Sequence, residues 1–107
     1  MNTFESYEKV VANVPLSLRN NRDRIDLPVM GLQESAGKIG SMLTKVTATG
    51  TLSLTPDQGG ELKDRLSDIL WCVARLCRET GIPMDDVAVH SVAQITARAR
   101  ELDPDQR

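Results

Sequence analysis

Three polar constellations carry the chemistry open to this chain. Glu34, Ser35 and Lys38 fall within "GLQESAGKIGSML", residues 31–43. Glu61, Asp64, Arg65 and Asp68 fall within "ELKDRLSD", residues 61–68, and Ser91, Gln94 and Arg98 lie further along. Steps of three and four place such residues in rows on one side of a helix. Facing rows of carboxylates build magnesium sites, because a hard cation needs several oxygen ligands from different elements. Here the rows are mixed. Glu34–Lys38 and Glu61–Arg65 are acid-before-base pairs at i, i+4, which suit ion pairing within a helix. Lys38 and Arg65 also suit an anion such as a phosphate.

The elements that position these rows read as four helices. The first is "FESYEKVVANV", with Phe4, Tyr7, Val11 and Val14 at steps of three and four and Pro15 as its stop. A polar connector follows to Pro28, and a second helix is predicted from about Pro28 to Val46. "TATGTLSLTP" breaks the pattern with Thr, Gly and Pro. Thr55, Pro56 and Gln58 match a capping box with Pro at the first helical position, although Gly59 and Gly60 leave Glu61 as an alternative start. This third helix is expected to end at Gly81. Pro83 opens the fourth, with Asp85 and Asp86 in the first turn, where acids favour the helix dipole. It fades near Leu102, leaving "DPDQR" as a frayed tail.

Three apolar seams share one spacing: Leu32, Ala36, Ile39, Leu43 and Val46; Leu62, Leu66, Ile69, Val73 and Leu76; and Ala88, Val92, Ile95, Ala99 and Leu102. The pattern is that of a helical bundle, and core packing accounts for these residues. Ser35, Lys38, Arg65, Asp68, Ser91 and Gln94 each stand beside a seam, which predicts that they edge one interhelical groove.

Composition narrows the function classes. The 107 residues fit a single domain, with 40% hydrophobic and only 3% aromatic residues, so the core must be aliphatic. A core this small makes self-association a reasonable expectation. Thirteen basic against fifteen acidic residues give a net charge of −2, which argues against a nucleic-acid partner. The basic run Arg19, Arg22 and Arg24 is interrupted by Asp23 and reads as a solvated loop. The opening residues lack the apolar stretch of a signal peptide, and no run reaches membrane-spanning length. Cys72 and Cys77 stand roughly 140° apart on a helix, so they cannot bridge within it and read as buried free thiols of a reducing cytoplasm. His90 is the lone histidine and lacks a triad partner. "GTLSLTPDQGG" lacks the lysine of a phosphate-binding loop.

"GLQESAGKIGSMLTK" followed by "ELKDRLSDILWCVARLCRETGIPMDDVA" resembles the MazG-type nucleotide pyrophosphohydrolases, members of the all-α NTP pyrophosphatase superfamily. The resemblance covers about residues 31–98. It is most specific at "LSDILWCVARLCRETGI", against the family's "LGDVLWYLARLAEELGI". It implies an all-α, four-helix MazG-like bundle completed by oligomerisation into a homodimer or tetramer. In the family, E-E-x-x-E and E-x-x-D motifs hold magnesium, which neutralises phosphate charge and activates water for release of pyrophosphate.

Mapped onto this chain, the first motif falls on Glu34, Ser35 and Lys38, and the second on Arg65 and Asp68. Only Glu34 and Asp68 keep the acidic type. Ser35, Lys38, Arg65 and Asp68 together carry +1, where four carboxylates would be strongly negative. Two like unit charges 4 Å apart repel by roughly 4 kcal/mol at an effective dielectric of 20, and Mg²⁺ carries two. No cofactor is therefore expected. The resemblance further places Lys45, Trp71, Ser91, Gln94 and Arg98 at nucleotide-contacting positions, with Ser91 and Gln94 departing from the family's Asn and Lys.

Three functions follow for this single domain, with its N-terminal helix and connector (1–27), core helices (28–102) and tail (103–107). The first is a catalytically impaired relative that binds a nucleotide or another anion, or regulates. The second is an active Mg²⁺-dependent pyrophosphohydrolase with ligands relocated to Glu61 and Asp64. The third is a helical protein-interaction module. None calls for a membrane.

Overall fold

A computed structural model describes residues 3–14 and 20–102. Among them the chain is all-α, with α1 over Thr3–Ala12, α2 over Asp23–Thr47, α3 over Pro56–Thr80 and α4 over Met84–Leu102, and no strand. The expected stop at Pro15, Arg19 of the basic run and the tail 103–107 lie outside the described residues. No helix among the described residues is long and apolar enough to cross a membrane.

The start of α3 follows its capping box. Thr55 accepts from the Gln58 backbone N–H at 3.2 Å, and the Gln58 side chain accepts from the Thr55 N–H at 2.9 Å. Two otherwise orphaned donors are satisfied, so Gly59 and Gly60 do not delay the helix. Gly81 ends it with φ 73°, a conformation open to glycine at no steric cost.

α2 begins five residues before the expected Pro28. The Asn20 carboxamide oxygen accepts from the Asp23 N–H at 3.2 Å, and Asp23 and Asp26 occupy the first turn. Cap and charge together nucleate a turn within a stretch that reads as connector. Pro28 then lies inside the helix, where its missing N–H costs a backbone bond, but its ring is fully buried. In the basic run, Arg22 pairs with Asp26 at 3.7 Å and Arg24 reaches Glu79 of α3 at 3.7 Å.

α2 and α3 form the main packed pair. Their seam keeps most of the expected positions and departs from them at Ala36 of α2 and Leu66 of α3. On α2 the buried positions are Pro28, Ser35 and Val46, with Gly31, Leu32, Ile39, Met42 and Leu43 half-buried, while Ala36 is exposed. On α3, Cys72 is buried and Leu66 is 52% exposed. The cause is close approach. A Cβ on Gly31 would lie 2.7 Å from the Cys72 sulfur, so small residues set where the two backbones meet.

A second cluster joins Val11 of α1, Ala74 and Cys77 of α3 and Met84 of α4, with Tyr7, Trp71 and Val73 packed against it. Glu8 of α1 accepts from the Met84 N–H at 3.3 Å, capping α4 from a neighbouring helix. Arg75 binds the end of α1 to α3. Its guanidinium donates to the carbonyl oxygens of Val11 at 3.2 Å and Val14 at 3.3 Å and pairs with Glu79 at 3.5 Å. Beyond Ala88, every described residue of α4 is exposed, so its expected seam is not part of this core.

Candidate functional site

The α2–α3 groove brings together Glu34, Ser35, Lys38 and Lys45 from α2 with Glu61, Arg65, Asp68 and Trp71 from α3. It consists of two neighbouring open cavities that share Arg65. One, of about 210 Å³, is lined by Glu34, Ser35, Arg65, Asp68, Trp71 and Cys72 with Gly31. The other, of about 430 Å³, is lined by Lys38, Lys45, Arg65 and Glu61 together with Ser41, Met42 and Gln58.

Ser35 departs from its expected place. It is 4% exposed and sits in the floor between the helices rather than at the groove edge. A hydroxyl is small enough to occupy that floor, and Gly31 one turn earlier makes the closest approach. Trp71 packs on the Val11–Met84 cluster and also lines the smaller cavity.

Four of the groove's charges are engaged within single helices. Lys38 donates to Glu34 at 2.7 Å, the expected i, i+4 pair. Arg65 turns to Asp68 at 3.8 Å instead of the expected Glu61. Its Nε is buried and makes no hydrogen bond. The Lys38 hydrogen bond and charge hold the Glu34 carboxyl below the usual carboxylate range, and Arg65 across the groove adds to this. The sign has a consequence for pH. With a lowered folded pKa, the favourable interaction of Glu34 is complete above the ordinary value of about 4.3 and is lost as pH falls through the lower folded value. Carboxyl-detected NMR titration of Glu34 should give a midpoint below about 4.3, moving back up in Lys38→Met. An unchanged midpoint in that variant would refute the assignment to Lys38.

A divalent cation does not fit these residues. Glu34 and Asp68 are each held by a cation. Among the described residues, no three His, Cys, Asp or Glu side chains converge as a metal-binding group. The alternative acids Glu61 and Asp64 line a third open cavity with Asp68 and Ser67, but Arg65 stands among them.

The third row is placed elsewhere. Ser91, Gln94 and Arg98 are exposed on α4, and the three groove cavities are lined by α2 and α3 side chains. Ser91 instead edges an apolar cavity with Phe4, Leu70, Val73, Met84, Val87 and Ala88. His90 is also exposed on α4. The residue that sequence reasoning passed over is Arg75. Its signal was a cation flanked by Ala74 and Leu76, with Glu79 one turn on.

Fold and site together define an all-α helical protein with a mixed-charge groove between its two longest helices. No family model, curated protein or solved structure matches the chain.

Proposed function

We propose that this chain is a MazG-like protein of impaired catalytic power that binds a nucleotide or related polyanion in the α2–α3 groove, acting as a cytoplasmic binding or regulatory protein. The observation that carries the reading is the larger cavity, where Lys38, Lys45 and Arg65 stand with Glu61 as the one acid. Lys45 and Arg65 come from different helices, so a phosphate chain would be gripped from both sides. Charge-assisted hydrogen bonds to phosphate are the strong kind, and a guanidinium offers them in a fixed fork. Lys38 is shared with Glu34, which tempers its contribution. The sequence resemblance supplies the nucleotide as the ligand class.

The test pairs turnover with binding. The protein is incubated with Mg²⁺ or Mn²⁺ and a panel of nucleoside triphosphates, and released pyrophosphate is measured alongside melting temperature. The expected result is no turnover, with melting raised by triphosphate alone. A ligand at a hundred times its Kd adds about 2.7 kcal/mol to the native state. Lys45→Gln and Arg65→Gln should each weaken binding by about tenfold or more, given about 1.5–3 kcal/mol for a hydrogen bond to a charged group. Robust metal-dependent turnover would instead establish the active enzyme, with Glu61, Asp64 and Asp68 as its acids. No response to nucleotide or metal would leave the interaction module.

A further inference from the structure

The three cations of the larger α2–α3 cavity are restrained unequally. Lys38 donates to Glu34 at 2.7 Å, a short charge-assisted bond. Arg65 stands 3.8 Å from Asp68, and its Nε makes no hydrogen bond. Lys45 makes no ion pair among the described residues. The restraining acids stand to one side. Glu34 and Asp68 line the smaller cavity and not the larger, Lys38 lines only the larger, and Arg65 lines both. Glu34 therefore pulls on Lys38 from outside the space that an anion would fill. Lys38 and Lys45 lie two turns apart on α2, about 10 Å along its axis, and Arg65 reaches in from α3.

We infer that Glu34 is a built-in competitor for Lys38, so that a phosphate chain anchors between Lys45 and Arg65 and reaches Lys38 last. The inference rests on the anion reading of this cavity and adds a direction and a brake to it. A single phosphate meets the two less restrained cations and leaves the Glu34–Lys38 pair closed. A chain of three phosphates, once anchored, carries its far end along α2 at high effective concentration. A phosphate oxygen then replaces the Glu34 carboxylate on Lys38. The exchange strands no charge, because the Glu34 side chain is 63% exposed and water takes over its oxygen. An exposed pair of this kind is weak, so Glu34 lowers the affinity for a long chain without abolishing it. Asp68 restrains Arg65 less, since a guanidinium engaged through one nitrogen keeps other N–H groups for the anion.

Titration of the full chain with inorganic phosphate and with tripolyphosphate, followed by NMR, tests this. Glu34→Gln should bind tripolyphosphate about two- to fivefold more tightly than the parent, the range of an exposed pair. Both side chains are exposed, so the variants keep the fold. In a Lys38→Met background the same substitution should gain nothing, whereas a general effect of removing a negative charge would persist there. Lys38→Met alone should weaken tripolyphosphate and leave phosphate unchanged, while Lys45→Gln should weaken both. The gain should be the same for adenosine triphosphate, because Lys38 meets the chain whatever it is attached to. A parent that binds tripolyphosphate and gains nothing in Glu34→Gln would overturn the inference and leave the anion reading standing. So would a gain that survives in Lys38→Met, one confined to the nucleotide, or an equal loss of phosphate in Lys38→Met. Binding of neither probe to the parent or to Glu34→Gln would overturn the anion reading itself, and this inference with it.

Discussion

Arg75→Met is expected to cost about 3–5 kcal/mol, the usual effect of breaking a buried ion pair from one side. The chain would lose a large part of the roughly 5–15 kcal/mol that holds a domain together. Arg75 is 5% exposed, and Met conserves much of its length, so the loss would be electrostatic rather than a cavity. At the end of α1, the Val14 carbonyl would lose its Arg75 donor, and the Val11 carbonyl would keep the Val14 N–H alone. Glu79, itself largely buried, would keep only Arg24 at 3.7 Å. Urea unfolding followed by circular dichroism measures the effect. Removing Glu79 as well, in Arg75→Met/Glu79→Met, should recover much of the loss, because a buried pair replaced whole by apolar groups is often neutral. A loss below about 1 kcal/mol in the single variant, the value of an exposed pair, would show that this network does not hold α1 to α3.

The second large effect concerns the groove. Ser35→Glu, Lys38→Glu and Arg65→Glu together replace a floor hydroxyl and two cations with carboxylates, beside Glu34 and Asp68. Without metal the variant should be much less stable than the parent. Five acids would crowd one groove, and the Ser35 position offers almost no solvent. Adding Mg²⁺ should restore melting by tens of degrees, since about 1 kcal/mol moves the midpoint about 4–8 °C in a domain of this size. The parent should show no comparable response to Mg²⁺. If the variant folds and Mg²⁺ leaves its melting unchanged, the residue-by-residue mapping of the family's metal motif onto this groove is wrong.

Much of the fold was legible in residue order. The Thr55–Gln58 box, Pro56, Gly81 and the paired aspartates of α4 act locally, so they can be read without knowing what lies across the core. The first turn of α2 was not, because Asn20 caps it from a stretch whose composition suits a loop equally well. The α2 seam was misread at a single position, Ala36 for the buried Ser35, for a related reason. Gly31 and Ser35 carry no hydrophobic signal, yet their small size lets Cys72 approach, and only the partner helix reveals that. The Glu34–Lys38 pair was legible because it lies within one helix. The meeting of Lys45 with Arg65 was not, since it depends on how α2 packs on α3, nor was the isolation of Ser91, Gln94 and Arg98, which depends on where α4 goes. Arg75 was obscured by its charge, which in the middle of a helix normally signals a solvated face.

The tight passage of Gly31 over the Cys72 sulfur gives the protein a built-in clock. Burial, with the nearby Asp68 charge, pushes this thiol's pKa up, so little thiolate exists at neutral pH and little reagent can reach it. Alkylation of Cys72 therefore waits for α2 and α3 to part, and its rate counts those openings. Cys77, buried among α1, α3 and α4, times a different event in the same molecule. A polyanion clasped between Lys45 and Arg65 would slow the first clock and leave the second running.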